Sequence, residues 1–402
     1  MTAPNGPILF NNSTGSDTTA SGLGAANVYG TGASTIDGSA VVTGISTTGV
    51  SAGDLLWVQS SSGRQFSIIA TVDSSTQVTC DDTFDNTESG RTWAIGGKRA
   101  TWENSDSRQL FNDATGGWII KTETDQYLTT TGVNPTAGGS SDNLIIVDCE
   151  NNTLYKDYNI FWTPVFNVRN WWRLKNARVT TSTSQTGVAM QCAQLSNWQM
   201  AFFENVNVDC AGTLHYGFYL SINGGCYLSR CSVSNAALDS YWAPFAAELN
   251  SCSSFNAGRY GLTTSHTVFM CDCLFDGCGS YGIYATVGTR GFSVRKTVVS
   301  NSGGDGIRSN TTAWPYVIED CILSGNSGYG IINSNSTNVE GSVYGNAFYN
   351  NTSGQTSGLT NQSPITLTAD PFVSAANGNF NLNDFPGGGN LLRAKYYELG
   401  GN

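Results

Sequence analysis

Six short segments in the C-terminal half of the chain end on the same kind of residue. Aligned as SRCSVSN, SCSSFN, CDCLFD, KTVVSN, CILSGN and NAFYNN, they put Asn235, Asn256, Asp276, Asn301, Asn326 and Asn351 in one column, at steps of 21, 20, 25, 25 and 25 residues. Asp209 in NVNVD fits one repeat earlier. Four of the repeats run on into RYGL, SYGI, GDGI and GYGI, centred on Gly261, Gly282, Gly306 and Gly330. A unit this short, alternating strand signals with Asn and Gly turns, buries its apolar side only by stacking on its neighbours, so the pattern predicts the coils of a parallel β-solenoid. Asn suits the turn because it tolerates left-handed backbone and its amide bonds to the turn. Amides stacked coil on coil also bond up the column, as in cross-β ladders. The six residues are therefore expected to be structural.

Composition narrows the function classes. Only 12% of the residues are charged, with 47 Gly, while aromatics reach 11%. That describes a polar, uncharged surface over a β core rather than a disordered chain. A net charge of −11 with only 19 Lys and Arg, unclustered, speaks against nucleic acid as a partner. No apolar run approaches the roughly 18 residues of a spanning helix, so no membrane insertion is expected. The opening MTAPNGPILFNNSTG has neither a basic nor an apolar leader segment. A role outside the producing cell would then need a signal-independent exit, such as lysis.

Of eleven cysteines, nine lie between Cys192 and Cys321. Disulfide staples are one reading; Cys231, Cys252, Cys273 and Cys321 fall inside predicted strands, which favours buried, reduced thiols. Cys271, Cys273 and Cys278 are close in sequence, but the only histidines are His215 and His266, so no metal site is expected. Nothing calls for a cofactor.

Along the chain, residues 1–30 are Gly, Ser, Thr, Ala and Asn with one compact apolar cluster, Ile8, Leu9 and Phe10. They read as an extended arm, and the cluster as a plug that anchors it to a partner. Residues 31–97 hold short alternating strands with hairpin-length gaps, which predict a small antiparallel barrel or sandwich. WIIKTE and NLIIVDCE are the first convincing coil strands, and the solenoid is expected within 98–355. The tail, 356–402, loses the period and reads as a cap over the open end of the stack. Between Tyr155 and Leu174 the aromatics are too dense for one thin coil, so Trp171, Trp172 and their neighbours are expected against a loop, a neighbouring subunit or a ligand.

The chemistry-bearing residues are sparse. Two carboxylates about 5 to 9.5 Å apart are needed to cleave a glycosidic bond. The acids in or near the coils are Glu204, Asp209, Asp239, Glu248, Asp272, Glu319, Asp320 and Glu340, and they form no convincing column. Asp272 with Arg295, Lys296 and Arg259 is the best local mixture of acid and base, a weak catalytic candidate beside the simpler reading of surface charge. A row of aromatics is more distinctive: Tyr216, Tyr219, Tyr241, Trp242, Tyr260, Tyr281, Tyr284 and Tyr329, several beside the Tyr-Gly turns. They fit turn packing, a subunit interface or a platform for sugar rings.

On these repeats, residues 110–355 resemble the right-handed parallel β-helix superfamily, which includes pectate lyases, polygalacturonases and phage tailspikes. The Asn-Thr-Asp, Asp-Asp and Gly-His-Gly segments of polygalacturonases and the Arg-x-Pro-x-x-Arg of pectate lyases do not occur in the coils. The block GVSAGDLL with the strand ending IIATVDSST resembles small β-domains of phage and virion proteins. The tail LTADPFV with GNFNL resembles the closing segment of β-helix proteins of environmental phages and planctomycete-like bacteria. The resemblance implies a non-catalytic virion fibre, spike or capsid-surface protein, homotrimeric and joined to other virion proteins through its N-terminal region, with a host-surface glycan as possible ligand. A depolymerase spike (a polysaccharide lyase or glycoside hydrolase) and a bacterial surface carbohydrate-binding protein are the alternatives.

Overall fold

The computed structural model describes residues 8–10, 16, 21–23, 27–61, 63–97, 102, 111, 118–128, 133, 144–156, 164, 166–168, 171–181, 187–193, 200–221, 225–310, 316–335 and 341–393. The fold is all-β, with a closed antiparallel barrel, a parallel solenoid and a C-terminal antiparallel hairpin, and it divides into two units.

The first unit takes in residues up to Asp209 together with Ile222–Cys226. Its barrel closes from Asn27–Thr35, Val41–Thr43, Leu55–Ser60, Gly63–Ser74, Gln77–Cys80 and Glu88–Gly96. Alternation along these strands sends Val42, Leu56, Val58, Ile69, Val78, Trp93 and Ile95 into one core. The first strand is bulged between Thr31 and Thr35. Bulges bend a strand in the way closure demands, and Gly32, at φ 118°, supplies a conformation other residues avoid.

The first coils stack Ile119–Thr122, Ile145–Asp148, Trp172–Thr180 and Met200–Asp209 in parallel. Ile8–Phe10 joins them, pairing with Ile120–Thr122. This corrects the reading of Ile8, Leu9 and Phe10 as a plug for a partner. Ile8 and Phe10 are fully buried, and Phe10 packs on Trp102 and Phe111 of its own chain. An apolar strand beside an open sheet edge gains both ladder bonds and burial there. Part of the aromatic surplus is placed here too, while Tyr158, Phe161 and Trp162 lie outside the described residues. Phe166 and Trp172 contact Trp102 and Phe111 at centroid distances of 5.3–6.3 Å within the group. Trp172 is thus core and not a ligand or interface residue, whereas Trp171 is half-buried beside Phe202. Cys192 and Cys226 are disulfide-bonded, and the other described cysteines are not in a disulfide.

In the second unit, Cys210–Ser221 and Tyr227 onward, each coil has three short strands. Ala247–Asn250, Ser253–Phe255 and Leu262–Thr264 make one coil; Thr267–Cys271, Leu274–Asp276 and Ile283–Ala285 lie on it in register. Gly291–Arg295, Val298–Ser300 and Ile307–Ser309 follow, then Tyr316–Glu319, Ile322–Ser324 and Tyr329–Asn333. Two sharp turns per coil pass through left-handed backbone. The first column is Arg230, Ser251, Asp272, Lys296, Asp320 and Gly345. The residues after them, Cys231, Cys252, Cys273, Thr297, Cys321 and Asn346, form a buried column. There Cys273 and Cys321 Sγ donate to strand carbonyls, and Asn346 Nδ2 donates to the Ile318 carbonyl at 2.8 Å.

The second left-handed column is Asn235, Asn256, Gly277, Asn301, Gly325 and Asn350. The expected ladder is therefore divided. Asp276 lies one residue before this column, and Asn326 and Asn351 one after it. The bonds still run up the stack: Asn301 Nδ2 donates to Asp276 Oδ1 at 2.8 Å, Asn326 Nδ2 to Asn351 Oδ1 at 2.8 Å, and Asn256 Nδ2 to Asn235 Oδ1 at 3.4 Å. At Gly325 a glycine already fits the left-handed site, and the amide one step on, that of Asn326, bonds from there. A further ladder that the sequence reading passed over lies in the first unit, where Asn205 Nδ2 donates to Asn176 Oδ1 at 3.0 Å.

The glycines of the Tyr-Gly turns serve packing. A Cβ on Gly261 would stand 2.5 Å from Phe275 Cδ1 and 2.6 Å from the Gly282 carbonyl. At the far end, Ile365–Thr366 extends the stack and the hairpin Phe372–Ser374/Asn379–Leu382 follows. Leu367, Phe372 and Leu392 bury against Ile322 and Ala347, so the tail covers the last coils as expected.

Candidate functional site

One sheet of the second unit, built from Tyr216–Ser221, Asp239–Ala243, Leu262–Thr264, Ile283–Ala285, Ile307–Ser309 and Tyr329–Asn333, gathers most of the predicted aromatics. Parallel register turns one position per coil into a line along the stack. The first line reads Tyr216, Asp239, Tyr260, Tyr281, Asp305 and Tyr329. The second, three residues on, reads Tyr219, Trp242, Thr263, Tyr284, Arg308 and Ile332. Tyr241 belongs to neither: it is fully buried, with its hydroxyl donating to the Ser253 carbonyl at 2.8 Å.

The rings make two clusters. Trp242 lies 4.6 Å from Tyr219 and 5.0 Å from Tyr216. Tyr260, Tyr281 and Tyr284 contact one another at 5.1–5.5 Å, Tyr260 and Tyr281 nearly parallel and Tyr284 tilted by 48° and 57°. Rings stacked along the axis turn their faces toward each other, as Tyr219 with Trp242 and Tyr260 with Tyr281 do. The continuous platform expected from the sequence is thus two short stacks with a step between them, at Asp239 in one line and Thr263 in the other.

That step holds a two-point ion pair. Asp239 is fully buried, and Arg259 grips it through two bonds, Nε to Oδ1 and Nη2 to Oδ2, both 2.8 Å. Thr263 Oγ1 donates to Asp239 Oδ2 at 3.0 Å. Arg259 keeps 43% of its side chain exposed and lies over the Tyr260 ring, 4.8 Å from its centroid. A bidentate pair of this kind fixes orientation as well as charge. Bonding to Asp239 raises the Arg259 guanidinium above its ordinary value, and burial raises the Tyr216 and Tyr260 phenols above theirs. A second couple stands higher in the same line. Arg308 Nη1 donates to Asp305 Oδ2 at 3.1 Å and sits over Tyr281, while the Tyr329 N–H donates to Asp305 Oδ1.

The weak catalytic candidates are split by the fold. Arg259 is on this sheet with Asp239. Asp272, Arg295 and Lys296 are at the first turn column and its flanking strand, where Asp272 and Lys296 hold left-handed backbone at φ 53° and 48°. Arg295 borders a shallow groove of about 450 Å³ lined by Glu248, Phe269, Cys271, Ser293 and Val317, and its Nε lies 3.5 Å from Glu319 Oε2. Among the described residues no group of three metal-ligating side chains comes together. Nor is any helix among them long and apolar enough to cross a membrane.

Asp239, Thr263, Asp305 and Arg308 were not singled out as a site by the sequence reading. GDGI already placed Asp305 where its neighbours carry Tyr. Asp239 was hidden because Ser240 stands in the Gly position of its coil.

The family model described as a right-handed beta helix region matches residues 169–353. Among solved structures, the A-module of mannuronan C-5 epimerase AlgE6 from Azotobacter vinelandii is 12% identical over 67% of this chain and 97% of its own, with a TM-score of 0.37. The catalytic unit of a thermostable GH87 α-1,3-glucanase from Streptomyces thermodiastaticus is 11% identical over 87% and 88%, at 0.36. Tailspike protein 3 of bacteriophage CBA120 is 11% identical over 65% and 56%, at 0.29. No curated protein matches the chain.

Proposed function

We propose that this protein binds a polysaccharide along the sheet that carries the two tyrosine clusters, without cleaving it. The observation behind this is the juxtaposition of those clusters with two fixed Asp–Arg couples on one rigid face, a combination of rings, hydroxyls and oriented donors that suits polyhydroxylated ligands. The two lines run across Tyr216 to Tyr329, five coil steps, or about 24 Å at the usual strand spacing. That length suits an extended chain of sugars rather than a single one.

Cleavage fits the same face poorly. Asp239 and Asp305 are three coils apart, about 14 Å at that spacing, beyond the separation at which two carboxylates flank one glycosidic bond. Tyr216 stands beside Arg259, but burial moves its phenol further from ionisation, away from what a general base needs. A place in a virion and a threefold assembly rest on the resemblance alone and are not required for this reading.

Affinity electrophoresis through gels cast with acidic and neutral polysaccharides tests the proposal, paired with reducing-end and unsaturated-uronate assays. Retention by at least one polymer is expected, weakened at least fivefold in Trp242→Ala. Turnover of any polymer overturns the non-catalytic reading, and retention unchanged in Trp242→Ala moves the site elsewhere.

A further inference from the structure

The sheet that carries the shallow groove places a carboxylate beside an exposed ring. Its outward line reads Tyr227, Glu248, Phe269, Ser293 and Val317, one residue per coil. Phe269 keeps 54% of its surface exposed, so an apolar ring stands in solvent next to Glu248. Burial, and then the charge of Glu248 and a hydrogen bond to it, raise the Tyr227 phenol above its ordinary value, so these two side chains lie against each other. Glu248 itself has no ion pair among the described residues. The guanidinium that borders the same groove, that of Arg295, faces Glu319 instead, Nε to Oε2 at 3.5 Å. Past Phe269 the line drops to the small Ser293, and the groove of about 450 Å³ is lined by Glu248, Phe269 and Ser293 together. That volume falls within the range of small-ligand sites, roughly 300–1,000 Å³.

We infer that this groove takes an amino-sugar residue, its ammonium group on Glu248 and its ring against Phe269. The choice of a sugar polymer as carrier rests on the polysaccharide-binding reading; the place and the charge class go beyond it, on a different sheet from the tyrosine clusters. Charge decides the class. A carboxylate without a cation attracts an ammonium, and the electron-rich face of an adjacent ring attracts the same group. An acidic sugar would meet Glu248 with like charge and would find Arg295 already opposite Glu319. A neutral sugar would leave the Glu248 charge unmatched. Ser293 supplies a hydroxyl in the groove for those of the ring. Tyr227 is a positioning residue here, because its phenol holds the Glu248 carboxylate. One such contact on an open face is weak, and a polymer that repeats the ammonium gains by rebinding.

The test uses the full chain and glucosamine oligomers, with N-acetylglucosamine oligomers of equal length as the uncharged match and oligolysine as a polycation that is not a sugar. Binding is measured at about pH 5.5, above the ordinary carboxylate range. The amino form is expected to bind roughly tenfold or more tighter than the acetylated form, and to weaken several-fold between about 50 and about 500 mM NaCl. Glu248→Gln keeps the shape and should abolish that preference without changing the melt, and Phe269→Ala should weaken binding of the amino form roughly threefold or more. Asp73→Asn removes one exposed charge from the barrel and should leave binding within about twofold, because the net charge of −11 attracts polycations without choosing a groove. A preference that Glu248→Gln and Phe269→Ala both keep overturns the inference by moving the site. An equal loss in Asp73→Asn overturns it by reducing the effect to bulk attraction. Oligolysine bound as tightly, and lost in Glu248→Gln, overturns the assignment to a sugar. In each of these cases a polysaccharide whose retention falls in Trp242→Ala leaves the polysaccharide reading standing. No binding to any sugar polymer overturns both.

Discussion

The barrel and the second-unit solenoid use the same strand-forming residues and answer differently to change. In the barrel, Leu55–Ser60, Gly63–Ser74 and Gln77–Cys80 follow one another through tight turns, the other neighbours meet through longer loops or from distant parts of the segment, and all converge on one shared core, from Ala33 to Ile95. Each position is met once. In the solenoid every position recurs, coil after coil, under the same constraint. Some columns accept nearly anything: the first left-handed column holds Arg, Ser, Asp, Lys, Asp and Gly in turn. Others accept almost nothing, as Gly217, Ser240, Gly261, Gly282, Gly306 and Gly330 show. An exposed turn constrains only the backbone, whereas an inward turn constrains the volume left by the next coil. A break in a strict or repetitive column is therefore informative, and Asp239, Thr263 and Asp305 are such breaks.

The largest expected effect breaks the contrast between the two regions directly. Gly261→Val in the solenoid drives new atoms into Phe275 and the Gly282 backbone, and should cost about 3 kcal/mol or more. Gly30→Ala in the barrel meets only the Trp93 ring, 3.3 Å away, and should stay within about 1 kcal/mol. Urea midpoints followed by circular dichroism measure both; equal costs would erase the distinction.

Next come the two kinds of ladder residue. Asn326 is fully buried: its Oδ1 accepts from the Ser302 N–H, and its Nδ2 donates to Val299 O and Asn351 Oδ1. Asn326→Leu strands those partners and should cost about 2–3 kcal/mol. Asn301→Leu keeps an exposed site but loses the Asp276 bond and forces a branched side chain into left-handed backbone, for about 1–2 kcal/mol. Denaturant melts giving the reverse order would mean that the column matters more than burial.

At neutral pH the smallest effect belongs to the buried thiols, and it grows only as pH rises. Burial pushes the thiols of Cys80, Cys278 and Cys321 up to about 12. A raised acid leaves the folded state holding protons that the unfolded chain releases, so the stabilisation is complete below about pH 9 and is lost as pH climbs toward 12. Melting temperature should fall steadily above pH 9. Cys321→Thr, copying Thr297 in the same column, should change little at pH 7 and make that fall shallower. An alkaline slope identical to the parent's would remove Cys321 from the account.

Much of the architecture was legible because solenoid coils announce themselves by period, and barrel strands by alternation and turn residues. The site was legible only in part. Tyr216, Tyr219, Trp242, Tyr260, Tyr281 and Tyr284 were recognised as a row, and the fold does bring them to one sheet. The sequence showed neither that the rings stack on each other nor that the row has a step. Trp172 and the Ile8–Phe10 cluster were assigned outward roles, since residues 102 and 111, which help to bury them, belong to a segment with no repeat to betray its path.

By itself, then, the chain's residue pattern determined the all-β class, the stacking of coils, the small barrel ahead of them and the cap behind. These follow from local periodicity, turn chemistry and the need to bury one apolar side per coil. Only the tertiary structure decided which residues share a line. A register offset of one residue separates Asp276 from Asn301, sets Asp239 beneath Arg259 twenty positions later, and leaves Thr263 alone between Trp242 and Tyr284. Register is a property of neighbouring coils held in contact, fixed by side-chain packing across the stack, and repeats of 20, 21 and 25 residues do not state where each loop takes up its slack.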